Sequence, residues 1–295
     1  MASKTGFIGL GNMGIPMTNS LIAADIQVVG YDANPGPLAQ RHSPLYELVD
    51  NLARVAETEI LILMLPNGGI VREVLLGPDG ALSHIPAGGL VIDMSSADPD
   101  IYPEISEALA EKDIQFIDAP VSGNVRGAAA GSLTIMAGGD DSAIDRAMPL
   151  FSAMGEKVFR TGPLGSGQVM KALNNLVSAG SLMMTIEALL VAKKAGLDPS
   201  QANAILNVST GRNNSTDRKI EPFVLNGAYN SGFGLSLMAK DLRTAGAVAD
   251  RLGAAMPLAH HAVEMANAAE IALGPDADHT EVARWLESVT GLRFE

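Results

Sequence analysis

Short, mostly apolar runs occur through the first half of the chain, at 5–10, 26–31, 60–65, 90–94, 115–119 and 133–137. The run Ile60-Leu61-Ile62-Leu63-Met64-Leu65 shows no polar alternation, as expected of a parallel strand covered on both faces. Between the runs the apolar spacing becomes helical. Met13, Met17, Leu21 and Ile22 share one face of a helix predicted over 11–24. A further helix or turn is predicted over 35–41. Strand and helix in alternation predict an α/β fold, a doubly wound parallel sheet. After Gly162 the strand runs stop. Helices are predicted over 167–195, 200–207, 217–225, 237–252, 257–272 and 280–286, the first ended by Gly196 and Pro199. The chain therefore divides into an α/β domain (1–162) and an all-helical domain (163–295), with the boundary at Thr161-Gly162-Pro163. No internal repeat or low-complexity linker interrupts it.

The charge balance narrows the partners. With 20 Lys and Arg against 33 Asp and Glu, the formal net charge is −13. Such a chain repels a nucleic-acid backbone, so nucleic acid is not expected as a partner. An anionic substrate needs local donors that overcome the global field. There are no cysteines, which excludes disulfides and thiolate metal sites. His260 and His261 are adjacent and point different ways on a helix, and the other histidines form no ligand motif, so no metal is expected. Residues 1–5 lead straight into a strand without a secretory pattern, and a cytoplasmic location is expected. The stretch 177–192 carries Glu187 as its only charge. Ser178, Ser181 and Thr185 interrupt it, so it reads as a helix inside a protein rather than a membrane span.

Two motifs carry the chemistry. In Gly9-Leu10-Gly11-Asn12-Met13-Gly14 the glycines fit a dinucleotide fingerprint between a strand and a helix. Gly9 permits the tight turn, Gly11 admits the pyrophosphate, and Gly14 lets the helix pack against the strand with its amides facing phosphate. Asn12 and Met13 complete the cradle. Asp32, at the end of the second run, would accept from the adenosine ribose hydroxyls and repel a 2′-phosphate. No arginine follows it in Ala33-Asn34-Pro35, so NAD is favoured over NADP. Because ligands sit at the carboxyl ends of parallel strands, Met64, Leu65 and Pro66 are expected to cover an apolar cofactor face, with Ser96 at the nicotinamide ribose.

The second motif is Gly165-Ser166-Gly167-Gln168-Val169-Met170-Lys171-Ala172-Leu173-Asn174-Asn175. Lys171, Asn174 or Asn175, and Ser178 share one face of an otherwise apolar helix. Desolvation there disfavours an ammonium and shifts the lysine toward general-base duty. Lys171 would take the proton of a substrate hydroxyl while hydride leaves the same carbon, and Asn175 would orient the lysine or the hydroxyl. A third cluster, Asp118 to Ala128, follows a strand and is rich in backbone donors. Ser122 and the amides of Gly123 and Asn124 could hold a substrate carboxylate. A sharp loop feeding a helix would have the same composition.

These motifs, in this order, resemble the β-hydroxyacid dehydrogenase family, which includes 3-hydroxyisobutyrate dehydrogenases and tartronate semialdehyde reductases. The resemblance rests on Gly6 to Gly14, Asp118 to Gly127, Gly162 to Asn175 and Lys240-Asp241-Leu242. It implies a Rossmann domain followed by a helical domain, assembled as a homodimer or homotetramer through the latter. It also implies Lys171 as catalytic lysine, Asn175 beside the substrate, and Ser122 and Gly123 as the carboxylate-binding turn. Phe233 is implied near the nicotinamide, and Lys240 reaches cofactor and substrate. The chain departs from the family at Asn124, where a second glycine is usual, and at Ser209 to Thr216, which lacks a tryptophan. Arg212, Asn213 and Asn214 there would make the substrate end more polar.

The resulting expectation is an NAD-dependent oxidoreductase of a small anionic 3-hydroxy acid, with Lys171 and Asn175 catalytic and Asn174 and Arg212 on the substrate side. An imine reductase of the same architecture usually lacks the lysine. A non-catalytic NAD-sensing protein would have no need of Lys171, Asn175 and Ser122 together.

Overall fold

The computed structural model describes residues 4–36 and 43–294; part of the helix or turn expected over 35–41 lies outside them. The chain forms two compact units, Met1–Lys171 and Ala172–Glu295.

The first unit holds a nine-stranded sheet: β1 (Thr5–Ile8), β2 (Val28–Tyr31), β3 (Tyr46–Leu48), β4 (Ile60–Leu63), β5 (Leu90–Asp93), β6 (Gln115–Asp118), β7 (Val121–Ser122), β8 (Leu133–Gly138) and β9 (Gly155–Gly162). Its principal helices are α1 (Gly14–Ala23), α2 (Leu52–Ala56), α3 (Gly68–Leu76), α4 (Tyr102–Ala110), α5 (Asn124–Ala129) and α6 (Asp141–Met154). The strand order is β3-β2-β1-β4-β5-β6-β8-β7, with β9 also on β8. From β3 to β6 every pair is parallel. The expected doubly wound parallel sheet is present, and at its far end β8 runs antiparallel to β6 and β7. The chain reaches β8 through the short β7 and α5 rather than through a full helical crossover, so it returns in the opposite direction.

The unbroken apolar runs follow from burial on two sides. Phe7, Ile62, Ile92 and Ile117 pack into one core with Met17 and Leu21 of α1 and Phe151 of α6. Their neighbours Ile8, Leu61, Leu63, Val91 and Phe116 enter a second core with Val71 and Leu75 of α3 and Tyr102 and Ile105 of α4. Successive side chains on a strand point to opposite faces, and both faces here are covered.

A long helix, α7 (Ser166–Lys194), begins in the first unit and continues into the second. The second unit adds α8 (Pro199–Asn207), α9 (Asn214–Arg218), one stretch of π-helix (Ile220–Leu225), α10 (Leu235–Arg251), α11 (Pro257–Leu273) and α12 (Val282–Thr290). The single helix expected over 217–225 is thus two pieces, broken at Lys219. The core of this unit packs Leu176, Leu182, Met183, Ile186 and Leu190 of α7 against Met238 and Leu242 of α10 and Val282 and Leu286 of α12. By length and composition α7 could cross a membrane, and 44% of its most apolar window is buried in the protein.

Candidate active site

The strand order reverses between β1 and β4, and the carboxyl ends of these strands form the switch point where open α/β sheets bind ligands. The glycine loop follows β1 there. Gly9 has φ +101°, and a Cβ on it would lie 2.1 Å from the Met64 carbonyl oxygen. A Cβ on Gly14 would lie 1.8 Å from the Gly9 carbonyl oxygen, so only glycine lets α1 start this close to β1. Nothing stands within 4 Å of a Cβ built on Gly11, which leaves that face open for a ligand. The first amides of α1 lack helical partners and suit a phosphate.

Asp32, Met64, Leu65, Pro66 and Ser96 follow the carboxyl ends of β2, β4 and β5, at the same edge of the sheet. The Asp32 carboxylate accepts the Leu10 amide at 2.7 Å and the Asn34 amide at 2.8 Å, tying the end of β2 to the glycine loop. After β4, the Leu65 amide donates to Ser95 Oγ at 2.9 Å. Met64 and Leu65 are half-buried and Pro66 is exposed; Ser96 is half-buried beside Ser95. The residues present fit a dinucleotide.

Ser122 ends β7, and the chain then turns through Gly123 (φ +140°) and Asn124 (φ +58°) into α5. Asn124 therefore keeps the left-handed backbone that a glycine would take, and asparagine is among the few residues that tolerate it. Gly123 and Asn124 are exposed and Ser122 is half-buried.

The start of α7 is held by groups the sequence did not single out. Asp118 Oδ1 accepts the Gly165 amide and Oδ2 the Gln168 amide, each at 2.7 Å. Burial pushes the Asp118 carboxyl up to about 7, against the pull of those two amides. The Gln168 side chain donates to the Ser95 carbonyl and Tyr102 Oη, both at 2.8 Å, and accepts the Ala97 amide at 3.0 Å. Tyr102 in turn donates to Asp93 Oδ2 at 2.8 Å. Lys171, half-buried, follows Gln168 by three residues.

In the second unit, Asn174 Nδ2 donates to Asn175 Oδ1 at 3.0 Å, and Asn175 Nδ2 donates to Asp241 Oδ2 at 2.6 Å. Asp241 Oδ1 faces Lys240 Nζ at 3.1 Å. Asn174, Asn175 and Lys240 are thus brought together, and Asp241, absent from the predicted set, joins them. Its signal was its place beside Lys240. Phe233 lies edge-on to His279, with ring centroids 5.4 Å apart. Arg212 is exposed with Asp217 at 3.7 Å. Asn213 caps α9 and donates to Thr185 Oγ1 at 3.2 Å. Lys219, also unpredicted, donates to Ser178 Oγ at 3.1 Å. Among the described residues no group of three acidic or histidine side chains could hold a metal ion.

Residues 4–162 match a sequence family described as the NAD binding domain of 6-phosphogluconate dehydrogenase. Residues 165–286 match one described as NAD-binding of NADP-dependent 3-hydroxyisobutyrate dehydrogenase. With the cradle at the switch point, these matches define an oxidoreductase dependent on a nicotinamide dinucleotide. The chain is 37% identical over 240 residues to 2-(hydroxymethyl)glutarate dehydrogenase of Eubacterium barkeri, covering 81% of this chain and 80% of that one. It is 40% identical over 251 residues to mitochondrial 3-hydroxyisobutyrate dehydrogenase of Rattus norvegicus, covering 82% and 75%. Among solved structures, the Mycobacterium tuberculosis 3-hydroxyisobutyrate dehydrogenase with L-serine matches with a TM-score of 0.85 and 32% identity, covering 97% of this chain and 99% of that one. The chain belongs to the β-hydroxyacid dehydrogenase family and is an NAD(P)-dependent 3-hydroxyacid dehydrogenase, with NAD as its cofactor.

Proposed function

We propose that this enzyme oxidises a small 3-hydroxy acid, or reduces its semialdehyde or keto form, with Lys171 as general acid–base. Residues 1–162 bind NAD through Gly9, Gly11, Asn12, Met13, Gly14, Asp32, Met64, Leu65, Pro66 and Ser96. Residues 163–295 form the helical substrate and assembly domain, from which Phe233 and Lys240 also serve the cofactor. When bound, the nicotinamide supplies the hydride acceptor. Ser122 and the amides of Gly123 and Asn124 hold the substrate carboxylate. Lys171 takes the hydroxyl proton as the C–H bond on the same carbon breaks, and returns it in the reverse direction. Asn175 orients the reacting oxygen, with Asn174 beside it. Arg212 is available on the solvent side, because its surface pairing with Asp217 is long and weak.

The observation that supports this reading most is the clamped asparagine. Asn175 stands one helical turn after Lys171, and its amide is fixed by Asp241 and Asn174. A positioned polar group next to a half-buried lysine is what a proton transfer in a fixed direction requires. Lys171→Ala should retain NAD binding, followed by fluorescence titration, and lose roughly 10²- to 10⁴-fold in kcat. Near-normal kcat would remove Lys171 from the mechanism.

We also infer a homodimer or homotetramer, in a cytoplasmic setting. Met170, Val177, Met184 and Val191 are exposed and recur every seven residues along α7. An apolar seam of that period suits a second helix.

A further inference from the structure

Lys219 has no part in the chemistry described above, yet it is a costly residue to keep where it is. It sits at the break between α9 and the π-helix, with φ −123° and ψ −44°. Such irregular turns are common at functional sites. Its ammonium donates to Ser178 Oγ at 3.1 Å. Burial lowers it to about 8, opposed only by attraction to Asp278. Asp278 is already engaged by Ser231 Oγ, the Gly232 amide and Thr280. Among the described residues no carboxylate lies within ion-pair distance of Lys219. One of its three donors is used on Ser178. A largely desolvated cation whose nearest attracting carboxylate, Asp278, lies beyond ion-pair distance and is already engaged costs the fold that carries it, so a ligand that brings a closer charge is the economical explanation.

Ser178 lies three residues after Asn175 and four after Asn174, hence on the same face of α7. Its Cβ leans toward the helix N-terminus, toward those asparagines. The cation therefore stands along the polar face of α7, beyond the asparagines as seen from Lys171. We propose that Lys219, seated on Ser178, receives a second anionic group of the substrate, so that the enzyme prefers 3-hydroxy acids bearing a distal carboxylate over those ending in an alkyl group. This rests on the reading of Lys171 and Asn175 as the reacting end of the same helix face. A chain of net charge −13 repels a dianion at long range, and a partly buried cation is screened less than an exposed one. Exposed Arg212 lacks that advantage.

The test compares 2-(hydroxymethyl)glutarate with 3-hydroxyisobutyrate. The wild-type enzyme should show at least roughly tenfold higher kcat/KM for the dianion, and Lys219→Met should cut the ratio of the two by about 30-fold or more, the scale of losing one partner of a buried charge pair. Lys219→Met should also melt no lower than wild type at pH 7, since it removes an uncompensated charge; a purely structural lysine would show the reverse. Inhibition of the wild-type enzyme by glutarate against butyrate needs no variant, and glutarate should be the tighter. Equal inhibition, or a substrate ratio unmoved by Lys219→Met, overturns the proposal. The general-base reading fails separately, through normal kcat in Lys171→Ala, so the two failures are distinguishable.

Discussion

Replacing Asp241 with asparagine probes how the Asn175 amide, proposed to orient the reacting oxygen, is held. The carboxylate accepts Asn175 Nδ2 at 2.6 Å and faces Lys240 at 3.1 Å, its side chain only 6% exposed. Asparagine is close to isosteric, so the packing of α10 survives and the charge alone is removed. If the new amide oxygen turns to Asn175, its NH₂ meets the Lys240 ammonium. If it turns to Lys240, two NH₂ groups meet at Asn175. One donor–donor contact results in either orientation. Removing one partner of a buried ion pair costs about 3–5 kcal/mol, but Lys240 is 24% exposed and water relieves part of that, leaving about 2 kcal/mol.

By the usual entropy of unfolding per residue, that loss lowers Tm by about 3 °C if the whole chain melts together, or by about 8 °C if residues 172–295 melt as their own unit. Scanning calorimetry reads both cases. Initial rates followed by nicotinamide absorbance should show kcat reduced by roughly tenfold or more, with KM less affected, if the clamp positions Asn175 for the transition-state role proposed above. A variant that melts within about 1 °C of wild type with kcat within about twofold would show that Asp241 neither carries this charge balance nor holds Asn175.

Three further outcomes are expected. Asp32→Ala should raise NADP use relative to NAD, measured as the ratio of kcat/KM for the two cofactors; an unchanged ratio excludes Asp32 as the selector. Asp118 titrates near 7 when folded against 3.8 as a free side chain, so its contribution to stability is full below pH 3.8 and is lost as pH rises through 7, a change on the order of 4 kcal/mol at most. Asp118→Asn should flatten that slope in urea unfolding between pH 4 and 7, and an unaltered slope would assign it to other groups. Val177→Glu with Met184→Glu should shift the proposed oligomer toward monomer in light scattering; an unaltered mass would take α7 out of the proposed interface.

The parts of the fold legible from sequence were those where a single local requirement dominates. Strands covered on both faces read as unbroken apolar runs, and the glycine loop read through backbone positions that exclude a Cβ. What escaped was either short or set by distant contacts. β7 has two residues, too few for any period. β9 carries Glu156, Lys157 and Arg160 at the sheet edge, where solvent permits charge and erases the apolar signal. Helical spacing placed Lys171 and Asn175 on one face. The contacts of Asp118, Gln168, Asp241 and Lys219 were not legible, because each acts on a group 41 to 73 positions away.

Those long-range contacts explain why α7 begins with a polar network where apolar packing would satisfy burial. Apolar side chains tolerate small slides and rotations, whereas Lys171, as the proposed acid–base, must present one face. A helix rotates about 100° and rises about 1.5 Å per residue, so a slip of one residue would turn the amine away from its face. Asp118 accepts two amides from the first turn with separate oxygens, which restrains rotation and translation together. Gln168, one turn before Lys171, is fixed at three points on the loop and helix after β5. Ser95 belongs to that loop and also holds the Leu65 amide beside the cofactor edge. The same buried hydrogen bonds that set the phase of α7 therefore also set the two strand-end loops against which the nicotinamide is proposed to lie. A defect in any one of them should appear in catalysis before it appears in cofactor affinity.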